Sequence, residues 1–175
     1  MKAFTAILLL TISNLFAIPN EELIKSAMNG DLGGVKRAIK AGADVNARVR
    51  DLTSLMIAAG RGHKEIVASL LESNADINIK GEGGKTALSI ALRRHQLPTA
   101  KLLLEKGCDI NTKDDKGVTP LMWAVYEGNM ETVKFILENK ADPNLANSKE
   151  KTALGYAKEK NWKEIEKALK EAGAE

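Results

Sequence analysis

A chain of 175 residues with a formal net charge of +3, 44% hydrophobic and 28% charged, fits one domain or one short repeat array and is too apolar to remain disordered. So small a positive charge excludes a dedicated nucleic-acid binder, whose affinity rests on many clustered phosphate contacts. Aromatic residues are only 4%, so a core of Ala, Leu, Ile and Val in closely stacked helices is expected, and the single cysteine, Cys108, excludes an internal disulfide.

The first element is a leader. Lys2 supplies a positive start, an apolar run extends from Ala6 to Ile12 and more weakly to Phe16, and Leu15 and Ala17 precede the expected cut by three and one residues. This is the pattern of a secretory signal peptide over residues 1–17, leaving a mature chain from Ile18. The competing readings are a buried helix or a membrane anchor. The run is far shorter than the ~20 residues a spanning helix needs, and Ile18-Pro19-Asn20 closes it. No cysteine follows for a bacterial lipoprotein anchor, and no second hydrophobic span exists. A short leader with one lysine favours a bacterial periplasm, with secretion as the wider expectation. Loss of Lys2 leaves 25 basic and 23 acidic residues.

Residues 18–175 are organised by a period. Thr53, Thr86, Thr119 and Thr152 are spaced by 33, as are Leu55, Leu88, Leu121 and Leu154. Asp76, Asp109 and Asp142 keep the interval, with Asn78, Asn111 and Asn144. Asp44 and Asn46 lie 32 before Asp76 and Asn78, so the first linker lacks one residue. Such self-similarity marks a stack of supersecondary units. About five units are expected, over residues 20–47, 48–80, 81–113, 114–146 and 147–175.

The first unit opens on Asn20-Glu21-Glu22-Leu23 and is polar, as a terminal cap should be. In the second, Thr53 caps a short apolar helix by accepting a hydrogen bond from a first-turn amide. Gly62 stops that helix, as Gly30 and Gly128 do elsewhere, by permitting positive φ. A second helix runs from Lys64 to Leu71 with apolar residues at helical spacing, and Ala75-Asp76-Ile77-Asn78 suits a tight projecting turn. The third unit carries Ser89, His95 in place of the turn glycine, and Pro98 in the first turn of its second helix, where proline is tolerated. It is expected to be the least regular. In the fourth, Pro120 sits just inside the helix start, where its missing N–H costs nothing. The fifth ends in a charged helix from Trp162 to Lys170 suited to solvent.

Thr119-Pro120-Leu121 and Gly62-His63-Lys64-Glu65-Ile66-Val67 resemble the signature of the ankyrin repeat, over essentially the whole chain from about residue 20. The resemblance implies an all-α solenoid: a curved stack of helix pairs with β-turn fingers at right angles. It also implies binding of other proteins through a concave groove of finger tips and inner-helix faces.

Catalytic and metal chemistry has no candidate constellation. His63 and His95 occupy inter-helix turns of successive units and make no zinc-binding pattern. Cys108 takes the slot of Ala43, Ala75 and Ala141, so it reads as a small core residue, with a redox-sensitive thiol as the sharper alternative. Gly33-Gly34 and the finger Gly81-Glu82-Gly83-Gly84 lack the Gly-Lys-Ser/Thr ending of a phosphate loop. Lys149 to Lys170 alternates with Glu and is a solvated face. No enzyme activity, cofactor or metal is expected.

The residues that stacking leaves free are the candidate partner site. In the second unit these are Arg50, Leu52, Met56 and Arg61; in the third, Lys85, Arg93 and Arg94. In the fourth they are Lys116, Val118, Met122, Trp123, Tyr126 and Glu127. Arg, Trp, Tyr and Met are enriched at protein interfaces, and Trp123 and Tyr126, three apart, share a helix face. The centre of binding is therefore expected at Arg93, Arg94, Trp123 and Tyr126. The expected function is a periplasmic adaptor or stabiliser, monomeric when free, that binds an envelope protein. An inhibitor or immunity protein that occludes an envelope enzyme, such as a peptidoglycan hydrolase, and a host-directed effector stay open beside it.

Overall fold

The computed structural model describes residues 19–175; the leader expected over residues 1–17 lies outside the described residues. Helices come in pairs: residues 19–29 (α1) with Leu32–Lys40 (α2), Ser54–Arg61 (α3) with Lys64–Glu72 (α4), and Ala87–Arg93 (α5) with Leu97–Glu105 (α6). Pro120–Tyr126 (α7) pairs with Met130–Glu138 (α8), and Ala153–Glu159 (α9) with Lys163–Glu171 (α10). The odd-numbered helices from α3 pack on one another as an inner layer, and the even-numbered ones as an outer layer. This is the arrangement of an ankyrin solenoid.

The period sets the caps. Thr53, Thr86, Thr119 and Thr152 each accept a hydrogen bond from the third residue into the following helix, at 3.2–3.3 Å. Leu55, Leu88, Leu121 and Leu154 are buried, as are Ala58, Ala91, Ala124 and Ala157. Small residues there let adjacent inner helices approach closely. Met56 and Met122 are also core, each 1% exposed. The expectation that they face solvent is wrong: the short inner helices are covered on two sides, so two adjacent positions point inward.

The fingers are tied by their Asp-x-Asn motifs. Asp44, Asp76, Asp109 and Asp142 each accept from the amide two residues on, at 2.8–2.9 Å. The Asn side chains reach across units: Asn46 Oδ1 accepts from Asp76 N at 2.8 Å, and Asn111 Oδ1 from Asp142 N at 2.9 Å. Asp therefore closes the turn, and Asn registers one unit on the next.

The residue missing from the first linker has a local consequence. Fingers two to four close with three intervening residues, Gly81 N donating to Lys85 O, Asp114 N to Val118 O and Asn147 N to Lys151 O. The first finger instead forms an antiparallel hairpin of Arg48–Val49 (β1) and Leu52–Thr53 (β2), joined by Arg50 and Asp51 alone. Both joining residues have positive φ, 49° and 59°. A two-residue hairpin loop needs this geometry, which glycine and asparagine adopt far more readily.

The third unit is not the least regular. Its helices have 7 and 9 residues, like those of the fourth. His95 adopts φ 57° in the turn where Gly62 and Gly128 stand in sister units. Its Nδ1 lies 3.1 Å from Asn129 Nδ2 and 3.3 Å from Thr132 Oγ1, so an unprotonated Nδ1 anchors the turn to the next unit. Ser89 completes a capping box, its Oγ accepting from Thr86 N at 3.0 Å.

Candidate functional site

One apolar register of the inner helices is only half-buried. Ile57, Ile90, Trp123 and Tyr156 recur every 33 residues and all are half-buried. They form an apolar stripe along the face between fingers and inner helices. Stacking uses the positions on either side and leaves this one. The shared spacing was visible in the sequence, but residues as different as Ile, Trp and Tyr hid it.

The stripe divides into two unlike halves. Toward the C-terminus its aromatic groups are engaged within the chain. Arg93 stacks its guanidinium 4.3 Å from the centre of the Trp123 ring. Tyr126, 48% exposed, meets Tyr156 edge-on at 5.9 Å and 87°. Lys160 lies 4.3 Å over Tyr126 and Lys151 4.3 Å over Tyr156, whose hydroxyl accepts from Asn147 Nδ2 at 2.8 Å. Lys85, Arg93, Val118 and Trp123 surround a cavity of only about 20 Å³, so these side chains fill the space between them.

Toward the N-terminus the stripe opens into a trough of about 830 Å³. The first hairpin supplies Val49, Arg50 and Leu52. The inner helices supply Ile24, Met28, Ile57 and Ile90, and Met56 forms part of the floor. Met28 and Val49 are 40% and 44% exposed, large values for apolar side chains. Gly60 belongs to the shape: a Cβ there would lie 2.8 Å from Ile90 Cγ2, so glycine lets the second and third units close under the trough. Of the expected site residues, Arg50, Leu52, Met56, Arg61 and Arg94 line this trough. Lys116 and Glu127 are exposed and line neither cavity. Sequence reasoning missed Ile24, Met28, Val49, Ile57 and Ile90, because aliphatic residues in a helical repeat read as core.

The remaining candidates sit elsewhere. His63 lines the end of the trough, its ring so close under Gly30 that a Cβ there would approach it to 3.0 Å. His95 is bonded between units as described. Cys108 is half-buried on the outer side beside Leu104, Ile110 and Asn139. Burial and, secondarily, Asp109 push its thiol up to about 12, so it stays protonated at neutral pH. Among the described residues no group of three or more His, Cys, Asp and Glu side chains is placed to hold a metal ion. No described helix is long and apolar enough to cross a membrane.

A family model for ankyrin repeats, three copies, matches residues 23–114 and again 111–175. Among curated relatives, serine/threonine-protein kinase 12 of Arabidopsis thaliana is 37% identical over 71 residues, 40% of this chain and 16% of that protein. Ankyrin repeat and KH domain-containing protein mask-1 of Caenorhabditis elegans is 38% identical over 79 residues, 42% of this chain and 3% of that one. The matched segments are a small part of either relative's length. With the repeats matched nearly end to end, the chain belongs to the ankyrin-repeat family, whose repeats are modules for protein–protein interaction.

Proposed function

We propose that the mature chain works outside the cytoplasm, in a bacterial periplasm, as a non-catalytic adaptor or stabiliser that binds another protein through the face between its fingers and inner helices. The observation that carries this reading is the half-buried stripe of Ile57, Ile90, Trp123 and Tyr156, an apolar inner register that packing within the chain covers only in part. Contiguous apolar surface of this kind marks an interaction site. The leader pattern over residues 1–17 is the basis for the compartment.

Affinity capture from the native envelope fraction tests it. Ile57→Ser with Ile90→Ser, on the inner face, should weaken capture by about 2 kcal/mol or more if they are central contacts. Lys163→Glu with Lys167→Glu, on the outer helix α10, should leave it unchanged. Circular dichroism must show both variants folded. The reverse pattern would overturn the inner-face reading. An unchanged activity of the captured partner supports the adaptor role, whereas its loss replaces that role by inhibition. N-terminal sequencing of the native protein should begin near Ile18; an intact Met1 on a cytosolic protein would remove the periplasmic assignment.

A further inference from the structure

The trough at the N-terminal end of the face has a charge pattern that its apolar lining does not require. Among the described residues its ionisable lining is Arg50, Arg61, Arg94 and His63, with no carboxylate. None of the three arginines makes an ion pair among the described residues. They are not clustered. Arg50 stands at the tip of the first hairpin, before α3 begins, whereas Arg61 ends α3 and Arg94 caps α5. The helix that Arg61 ends spans eight residues, a rise of about 12 Å. Cationic groups therefore flank the apolar floor at both ends. Helix-dipole complementarity accounts for an arginine in the last turn, but it does not account for Arg50.

Arg50 is also held where the backbone resists it. The first finger is one residue shorter than the others and closes through Arg50 and Asp51, both at positive φ. The left-handed conformation costs an L-residue roughly 1–2 kcal/mol, and Asn-Gly would relieve it. The same short turn puts Val49, Arg50 and Leu52 on the trough wall.

We propose that the trough receives an acidic segment of the partner protein, with a bulky apolar side chain entering between Val49, Ile57 and Ile90 and carboxylates on both sides of it meeting Arg50 at one end and Arg61 and Arg94 at the other. A single-headed amphiphile such as a fatty acid satisfies one end only; a peptide with carboxylates before and after its anchor satisfies both. Arginine pairs with carboxylates through two parallel N–H bonds, and the absence of a lining carboxylate removes any competing internal partner. This inference rests on the inner-face reading above and specifies its ligand.

The test pans a phage-displayed random peptide library on the folded chain and measures the synthetic consensus peptide by fluorescence anisotropy. Enriched peptides should carry Leu, Phe or Trp between Asp or Glu residues. The triple variant Arg50→Ala, Arg61→Ala, Arg94→Ala should bind the consensus at least about tenfold more weakly, with the loss mostly in affinity that salt also removes. A control of equal charge change, Lys134→Ala, Lys163→Ala, Lys167→Ala on the outer helices, should bind as the unaltered chain does. Failure to enrich acidic peptides, or equal binding by the arginine variant while it remains folded, overturns the proposal. Displacement of the peptide by decanoate at lower concentration than the peptide itself requires replaces it by an amphiphile site. A captured envelope protein that depends on Ile57 and Ile90 but ignores the arginine variant would refute this inference and leave the inner-face function standing. Acidic-peptide binding without any captured partner would do the opposite.

Discussion

Each unit ends its outer helix on a residue in the left-handed conformation, and one unit breaks the rule that this residue be glycine or asparagine. The positions are Gly42, Asn74, Gly107, Lys140 and Gly173, with φ between 63° and 93°. A Cβ at Gly107 would meet nothing within 4 Å among the described residues, so Gly107→Ala adds no contact and isolates the backbone term. That conformation costs an L-residue about 1–2 kcal/mol, and the narrower unfolded ensemble of alanine returns about 0.4–1 kcal/mol. Gly107→Ala should therefore destabilise the chain by about 1 kcal/mol. Lys140 is exposed and makes no ion pair among the described residues, so Lys140→Gly reverses the same terms and should stabilise by about 1 kcal/mol. Urea unfolding followed by helical ellipticity measures both. The double variant should return close to the parent, within about 0.5 kcal/mol, because the sites lie in separate units. Shifts of the same sign would refute the register argument. So would a loss above ~3 kcal/mol at Gly107, far outside the backbone term.

Three further substitutions test the core. Leu121→Ala should cost about 2–5 kcal/mol, since a fully buried leucine leaves a cavity between stacked units; a change below ~0.5 kcal/mol, the scale of surface substitutions, would contradict its placement. Ser54 Oγ is buried with no hydrogen-bond partner among the described residues, and sister units place Ala87, Pro120 and Ala153 there. Ser54→Ala should stabilise by about 1 kcal/mol by removing an unsatisfied hydroxyl, and a loss in thermal unfolding would show that the hydroxyl is satisfied. Cys108→Ala should fold normally and alter the alkaline limb alone. The Cys108 thiol is pushed up from its ordinary 9.0 to about 12, chiefly by burial. Between those values the folded chain keeps a proton that the unfolded chain releases, so stability falls as pH rises through that window. Denaturation across that range should show a shallower fall in Cys108→Ala, and identical slopes would refute the buried thiol.

Much of the fold was legible because each repeat solves the same local problem with the same residue. Thr53 and its three counterparts cap helices, Asp76 closes a turn, and Leu55 fills a core slot, so a 33-residue period reads directly as packing. His95 looked like a defect, since the sequence displays the missing glycine but not the Asn129 and Thr132 groups that anchor its ring. Met56 and Met122 were misplaced for a related reason: periodicity gives a helix face, and only tertiary packing says how wide a face is buried. The missing residue before Asp76 was countable, yet its result is a backbone event, a two-residue hairpin carrying Arg50 to the lip of the trough.

Aromatic content is a poor guide to where this face binds, and its two halves show why. Trp123, Tyr126 and Tyr156 are the residue types that dominate interface hot spots, but each already stacks with Arg93, Lys160 or Lys151. A partner covering those rings must match contacts worth roughly 0.5–1 kcal/mol for each exposed cation–π pair. It must also preserve or replace the Tyr126–Tyr156 edge contact, about 0.5–1.5 kcal/mol. Ile57 and Ile90 have no such internal competitor. Completing the burial of an isoleucine returns the uncovered share of about 1.5–3 kcal/mol, and Met28 and Val49, large and exposed, line the same trough. The gain on covering surface is thus greatest at the aliphatic end, where the arginines also make no ion pair among the described residues. The aromatic end is organised first for internal stability, its rings and cations holding the last two units together.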